Sequence, residues 1–156
     1  MKLLRALHVM WSSRRAGLLR LRPVNGPTRL VCLGVNCGLC CQVLGGANVE
    51  EQEAAPLRSL KVIQPEGAAL QLKCNGLQCV LFSGGHCSAY QVRPRACREY
   101  PWYNVGGRLF YDAGCPGIRT DADERPDVNA LRRVEEYLEM FPRVLRGGLV
   151  RLLTAW

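Results

Sequence analysis

Nine cysteines in a chain of 156 residues constrain this protein more than any other feature. An odd number cannot pair completely into internal disulfides. Nine in 156 is about 6%, below the roughly 8–10% of short disulfide scaffolds. Their spacing is uneven. Cys32, Cys37, Cys40 and Cys41 form a first cluster, Cys74 lies between, and Cys79, Cys87, Cys97 and Cys115 follow at wider intervals. A Cys-x-x-Cys pair such as Cys37 and Cys40 suits a tetrahedral ion, because two intervening residues let both thiolates point into one concavity. Four thiolates from separate loops can hold a zinc ion or an iron–sulfur cluster, and spacing alone leaves both open. Adjacent Cys40 and Cys41 have diverging side chains, which suits two sites, or one ligand beside one packed thiol.

The length fits one domain with short extensions, and 48% hydrophobic residues allow a modest core. No run approaches the roughly 18 apolar residues of a membrane span. The net charge of +8 is concentrated at the start. Lys2, Arg5, Arg14, Arg15, Arg20, Arg22 and Arg29 precede the first acid, Glu50. Leu3, Leu4, Leu7 and Trp11 recur at helical spacing and predict an amphipathic helix over 2–11. Arg5 interrupts the apolar run and no small-residue cleavage site follows, a poor match to a secretory signal. Reduced thiols and a cytoplasmic setting are therefore expected. The alternative is an organellar location, with residues 1–29 as an Arg- and Ser-bearing transit peptide. The plain reading of this head is a native helix packed on the domain. A docking arm for an acidic protein, a membrane surface or a nucleic acid also suits a basic segment, although no nucleic-acid-binding motif accompanies it.

The expected organisation is a basic head and linker over 1–29, a cysteine-cluster domain over 30–118 and a helical extension over 119–156. Arg22–Arg29 reads as a linker, and Val31–Val43 as a loop wrapping a metal. Leu57–Ile63 and Ala68–Lys73 flank a turn sequence, Gln64-Pro65-Glu66-Gly67, and predict a β-hairpin. Trp102–Val105 and Arg108–Asp112 flank Gly106-Gly107 and predict a second. Asp127 can cap a helix whose apolar face is Val128, Leu131, Val134, Leu138 and Phe141. Pro142 breaks it, and Val144–Leu153 can form another despite Gly147-Gly148. Trp102, Tyr103, Phe110 and Tyr111 are expected to form the core against the metal loops.

The run Cys87-Ser88-Ala89-Tyr90-Gln91-Val92-Arg93-Pro94-Arg95-Ala96-Cys97-Arg98-Glu99-Tyr100-Pro101 resembles the C-x-x-Y-x-x-R-P-x-x-C-R-x-(F/Y)-P signature of the YkgJ-type CxxCxxCC cysteine-cluster proteins, described as zinc- or iron-chelating. Cys37-Gly38-Leu39-Cys40-Cys41 resembles their C-G-x-C-C element, and Cys79-Val80-Leu81-Phe82 sits where the family has a cysteine before an apolar pair. The resemblance covers roughly residues 30–118. It implies Cys37, Cys40, Cys41, Cys79, Cys87, Cys97 and Cys115 as metal ligands, with Cys32 at a displaced position: four residues separate it from Cys37 where the family name implies two. Cys74 has no assigned place in that pattern. A tetrathiolate zinc site carries a formal charge of about −2, so nearby cations are needed; Arg93, Arg95 and Arg98, interleaved with Cys87 and Cys97, can supply them, with Arg93 and Arg98 the candidates and Arg93 first. His86 beside Cys87 is read as a loop residue before it is read as a nitrogen ligand.

The fold expected from these features is a small irregular α+β domain stapled by metal, with short β-hairpins and C-terminal helices. The expected function is metal binding, with zinc or an iron–sulfur cluster as cofactor. Two other classes stand beside it. One is a redox or methyl-transfer enzyme component carrying an iron–sulfur cluster, the methyl transfer being suggested by family resemblance alone. The other is a zinc-scaffolded interaction module docking on an acidic partner through residues 1–29. No Ser/His/Asp array, P-loop or dinucleotide fingerprint accompanies the cysteines.

Overall fold

The computed structural model describes residues 2–32, 37–139 and 141–155. Helix α1 (Lys2–Arg15) is followed by strands β1 (Leu21–Pro23) and β2 (Arg29–Leu30), helix α2 (Leu39–Val43), strand β3 (Asn48–Val49) and helix α3 (Ala54–Ser59). Six short strands come next: β4 (Ile63–Glu66), β5 (Ala69–Leu72), β6 (Cys74–Asn75), β7 (Gln78–Cys79), β8 (Phe82–Ser83) and β9 (His86–Cys87). Helix α4 (Arg95–Glu99), strands β10 (Trp102–Val105), β11 (Arg108–Asp112) and β12 (Ile118–Arg119), and helices α5 (Val134–Tyr137) and α6 (Arg143–Thr154) complete the order. This is the small, mixed α+β architecture of short antiparallel strand pairs expected from the sequence. Two compact units form, residues 36–98 and residues 1–35 with 99–156.

The unit of residues 36–98 is built on hairpins. β4 and β5 pair through a two-residue turn, with Glu66 opposite Ala69 and Gly67 at φ +67°. The turn therefore falls two residues later than expected, and Gln64 and Pro65 belong to the strand; Leu57 lies in α3. β3 joins the other edge of β5. β6–β7 and β8–β9 are two-stranded ribbons. Val49, Ala54, Leu57, Leu72, Leu81 and Ala89 are buried together with Cys79. So few apolar residues make a small core, and small cores depend on other staples.

In the other unit, Gly106 and Gly107 take φ +57° and +81° between β10 and β11. Two consecutive positive φ values are what a tight hairpin turn demands, so this hairpin stands as read from the sequence. β1 adds antiparallel to β11, so the expected linker Arg22–Arg29 begins and ends in strand. Asp112 is fully buried at this junction. Its carboxylate accepts from the Leu19 N–H at 2.7 Å, the Arg20 N–H at 3.1 Å, the Gly114 N–H at 3.0 Å and the Tyr100 hydroxyl at 3.2 Å. One side chain thus ties β11 to the segment leading into β1.

The helix expected from Val128 onward is broken into two pieces. Asp127 does cap the first, accepting from the Asn129 N–H at 3.0 Å, but that piece is only the 3-10 turn Val128–Ala130. Leu131 is extended, and Arg133 bridges to Asn104 before α5 begins. The Asn104 amide donates to the Val128 carbonyl at 2.9 Å, which anchors the break. Four of the five residues of the expected apolar face, Leu131, Val134, Leu138 and Phe141, are buried, and Val128 is half-buried. Leu138 and Phe141 close on Ala6 of α1, with Met10, Leu149 and Val150 around them. Leu21, Val134 and Leu153 form an adjoining cluster. The N-terminal helix is therefore a native packed element. Its buried side is Ala6 and Ser13, while the leucine stripe faces outward. Trp102, Tyr103, Phe110 and Tyr111 lie on β10 and β11, so the core around the thiols of residues 36–98 is made of other residues than expected. Among the described residues no helix is long and apolar enough to cross a membrane.

Candidate metal centre

Five short elements carry cysteines into the unit of residues 36–98. Gly38 stands at φ +49°, a conformation that favours glycine, and starts α2 with Cys40 and Cys41. A Cβ at Gly38 would collide with the Phe82 ring, so the Gly of this element is required for packing too. β6 and β7 set Cys74 opposite Cys79. β9 carries Cys87 opposite Phe82. Arg93 is extended at φ −60°, ψ 141°, as the residue before a proline prefers, and Pro94 is fully buried. The Pro94 carbonyl then accepts from the Cys97 N–H at 2.9 Å, which opens α4 with its thiol turned into the cluster.

The thiols influence one another electrostatically. Burial pushes the Cys79 thiol up to about 11, reinforced by Cys41, Cys74 and Cys87. Cys97 is pushed well above the usual thiol range, first by burial and then by Cys41, Cys79 and Cys87. Cys87 is raised by burial and by Cys41. Cys41 runs the other way, down to about 7, chiefly through its hydrogen bond with Cys40, their sulfurs 4.0 Å apart, and secondarily through Arg93. Cys41, Cys79, Cys87 and Cys97 therefore form one neighbourhood. Without a counter-charge it favours neutral thiols, because each thiolate is desolvated and repelled by the next.

Arg93 is the cation of this neighbourhood. It favours the thiolate at Cys41, Cys87 and Cys97. Its guanidinium stacks over the Tyr90 ring at 3.6 Å from the centroid. Its buried Nε has no hydrogen-bond partner. A buried, orphaned donor acting on three of these thiols fits an anionic thiolate cluster better than it fits neutral thiols. Arg98 instead donates to the Arg93 carbonyl at 2.6 Å and lies 3.4 Å from Glu53. Glu53 also accepts from the Arg95 N–H at 2.8 Å. Glu50 and Glu53 thus engage the arginines on either side of Cys97, a role the sequence reading did not assign to them.

Cys74 gains a place that spacing did not supply, since the β6–β7 ribbon sets it against Cys79. Asn75-Gly76 was the available signal, with Gly76 at φ +63°. Cys37 leads into α2, and its carbonyl accepts from Gln42 at 3.3 Å. Cys32 and Cys115 belong to the other unit, where the β2–β12 ladder and the Val31 N–H to Gly117 carbonyl bond run toward Cys32 on one side and Cys115 on the other. Of the loop expected over Val31–Val43, residues 33–36 lie outside the described residues. His86 is exposed and its Nδ1 faces the Gly84 carbonyl at 3.1 Å, as a loop histidine does. None of the nine cysteines is in a disulfide. Among the described residues no three His, Cys, Asp or Glu side chains form a ready-made metal triad, so the thiols are grouped but not drawn together.

A family model matches residues 31–129, described as "CxxCxxCC: putative zinc- or iron-chelating domain". The chain belongs to this CxxCxxCC family. The match spans both the α2 cysteines and the Cys87–Cys97 run, as the sequence resemblance implied. No curated protein and no solved structure shows significant similarity to the chain.

The order of thiol acidity has a direct consequence. In metal-free protein at neutral pH, iodoacetamide is expected to label Cys41 well before Cys79 and Cys97, read by peptide mass spectrometry over time. Preferential labelling of Cys97 would show that this neighbourhood is open in solution.

Proposed function

We propose that residues 36–98 bind a zinc ion or iron through Cys41, Cys79, Cys87 and Cys97. The observation that carries this reading is the mutual influence of these four thiols, three of which also feel one partly unsatisfied arginine, Arg93. Four thiolates supply the soft donor set that zinc and iron–sulfur centres share. A bound cation supplies the positive charge that lets four neighbouring thiols ionise together.

The protein's part is positional. α2 and α4 present Cys41 and Cys97 from helices, and the β7 and β9 edges present Cys79 and Cys87. Cys40 donates to or accepts from Cys41 and keeps its pKa low, so this thiolate is the most readily formed. Arg93 offsets the remaining negative charge, and its guanidinium stacks on the Tyr90 ring. Glu50 and Glu53 pair with Arg95 and Arg98 on either side of Cys97. Because at least three of the ligand thiols start with raised pKa values, binding releases protons and tightens as pH rises through the thiol range.

Arg93→Met keeps the bulk and removes the charge. It is expected to weaken metal affinity on the order of 10-fold, measured by competition with a chromophoric chelator. Unchanged affinity would remove Arg93 from the site.

A further inference from the structure

The outward faces of α1 and α6 are exposed apolar arcs that the metal reading leaves unused. In α1, Leu3, Leu4, Leu7 and Trp11 are all exposed, Leu4 to 73% and Trp11 to 60%. Spacings of 1, 3 and 4 residues put them on a single arc of the helix. The neighbouring arc, Ala6 and Met10, packs against Leu138, Phe141, Leu149 and Val150. In α6, Val144 is 88% exposed, Leu145 and Leu152 about half, and these three again share one arc. The two helices meet where Arg14 donates to the Leu152 carbonyl at 3.3 Å. Their charge is one-sided. α1 carries Lys2, Arg5, Arg14 and Arg15, α6 carries Arg143, Arg146 and Arg151, and neither contains an acid.

An apolar, tryptophan-bearing arc flanked by cations is the pattern of a helix that lies in a bilayer interface. At 14 and 12 residues, both helices are too short to span the roughly 30 Å hydrocarbon core. Trp11 with Arg15 5.2 Å from its ring centroid is an amphipathic pair suited to the headgroup level. A second copy of the chain would bring two acid-free cationic faces together, which like-charge repulsion opposes. We infer that the exposed arcs of α1 and α6 dock this protein on an anionic lipid surface, with Leu4, Leu7 and Trp11 entering the interface.

The test uses the full chain and vesicles of phosphatidylcholine with or without phosphatidylserine. Sedimentation with the anionic vesicles, little with the neutral ones, and a blue shift of tryptophan emission are expected. Trp11→Phe should keep the binding and lose most of the shift, because Trp102 and Trp156 remain in that variant. The triple variant Leu4→Gln, Leu7→Gln, Trp11→Gln changes exposed positions only. Its circular dichroism melt should match the parent while its vesicle affinity falls on the order of 10-fold or more. No binding to anionic vesicles at low salt would overturn the inference. So would binding that the triple variant retains in full, which would mean charge attraction without insertion, or a full blue shift in Trp11→Phe. A dimer in light scattering that the triple variant dissociates would assign the face to a second copy instead, and a lipid-independent complex with an acidic protein lost in that variant would assign it to a protein partner.

Discussion

Cys97→Ser is expected to leave the purified protein without stoichiometric metal and to loosen residues 36–98 as a unit. Cys97 is the thiol pushed furthest up, chiefly by burial, and it is carried on a helix that opens directly after buried Pro94. The apolar residues beneath the cluster are few, so the hydrophobic contribution is limited. For structural zinc sites the binding free energy appears as folding free energy, roughly 10–16 kcal/mol in zinc-finger peptides. Losing even part of that exceeds what a small core can offset, given a usual total stability of about 5–15 kcal/mol. Amide exchange across β6–β9 should accelerate by orders of magnitude, whereas exchange in β10 and β11 should change much less. Cys97→Ala separates ligand loss from the burial of a hydroxyl. Both variants should lose metal alike. Protection in β6–β9 equal to that of the parent would show that the hairpins hold without the cluster.

Asp112→Ala is expected to be the most damaging substitution in the other unit. It removes the acceptor of three backbone N–H groups and one tyrosine hydroxyl at a fully buried position. Each buried donor left without a partner costs roughly 1–3 kcal/mol, so the total loss is on the order of 3 kcal/mol or more. Asp112→Asn keeps one carbonyl acceptor and should lose about half as much. Urea unfolding monitored by Trp102, whose Nε1–H donates to the buried Thr28 hydroxyl at 3.2 Å, measures both. Equal stability of the alanine variant and the parent would mean that water satisfies these donors. Since this site lies outside residues 36–98, metal content per folded chain is expected to stay unchanged.

Legibility of the fold from sequence followed the range of the interactions involved. The Gly106-Gly107 hairpin was readable because its turn is decided by two residues that tolerate positive φ. α6 was readable from its pattern despite Gly147-Gly148, and its buried side chains supply the packing that two glycines cost. The break after Val128 was not readable. It depends on Asn104, distant in sequence, bonding the Val128 carbonyl. The outward turn of the α1 stripe was hidden for a similar reason. A helical period shows that two faces differ, and here the smaller residues Ala6 and Ser13 face inward. At the candidate site, Cys41, Cys79, Cys87 and Cys97 were all named from motif positions, and Arg93 from the Arg-Pro element. Cys74 was passed over because its partner is defined by β-pairing and not by spacing. Glu50 and Glu53 were passed over because their partners, Arg95 and Arg98, lie some 45 residues away. Arg98 carried no sign in the sequence that its guanidinium would turn to a carboxylate and the Arg93 carbonyl.

The most direct measurement is elemental analysis of protein purified without oxygen, with a visible spectrum of the same sample. The parent chain is expected to hold zinc or iron in stoichiometric amount. Serine substitution of Cys41, Cys79, Cys87 or Cys97 should abolish it, and serine substitution of His86 should not. Absorption near 400 nm would identify the centre as iron–sulfur, and a colourless sample with zinc would identify a closed tetrathiolate site. A parent chain that carries neither metal, or four variants that retain it in full, would contradict the assignment.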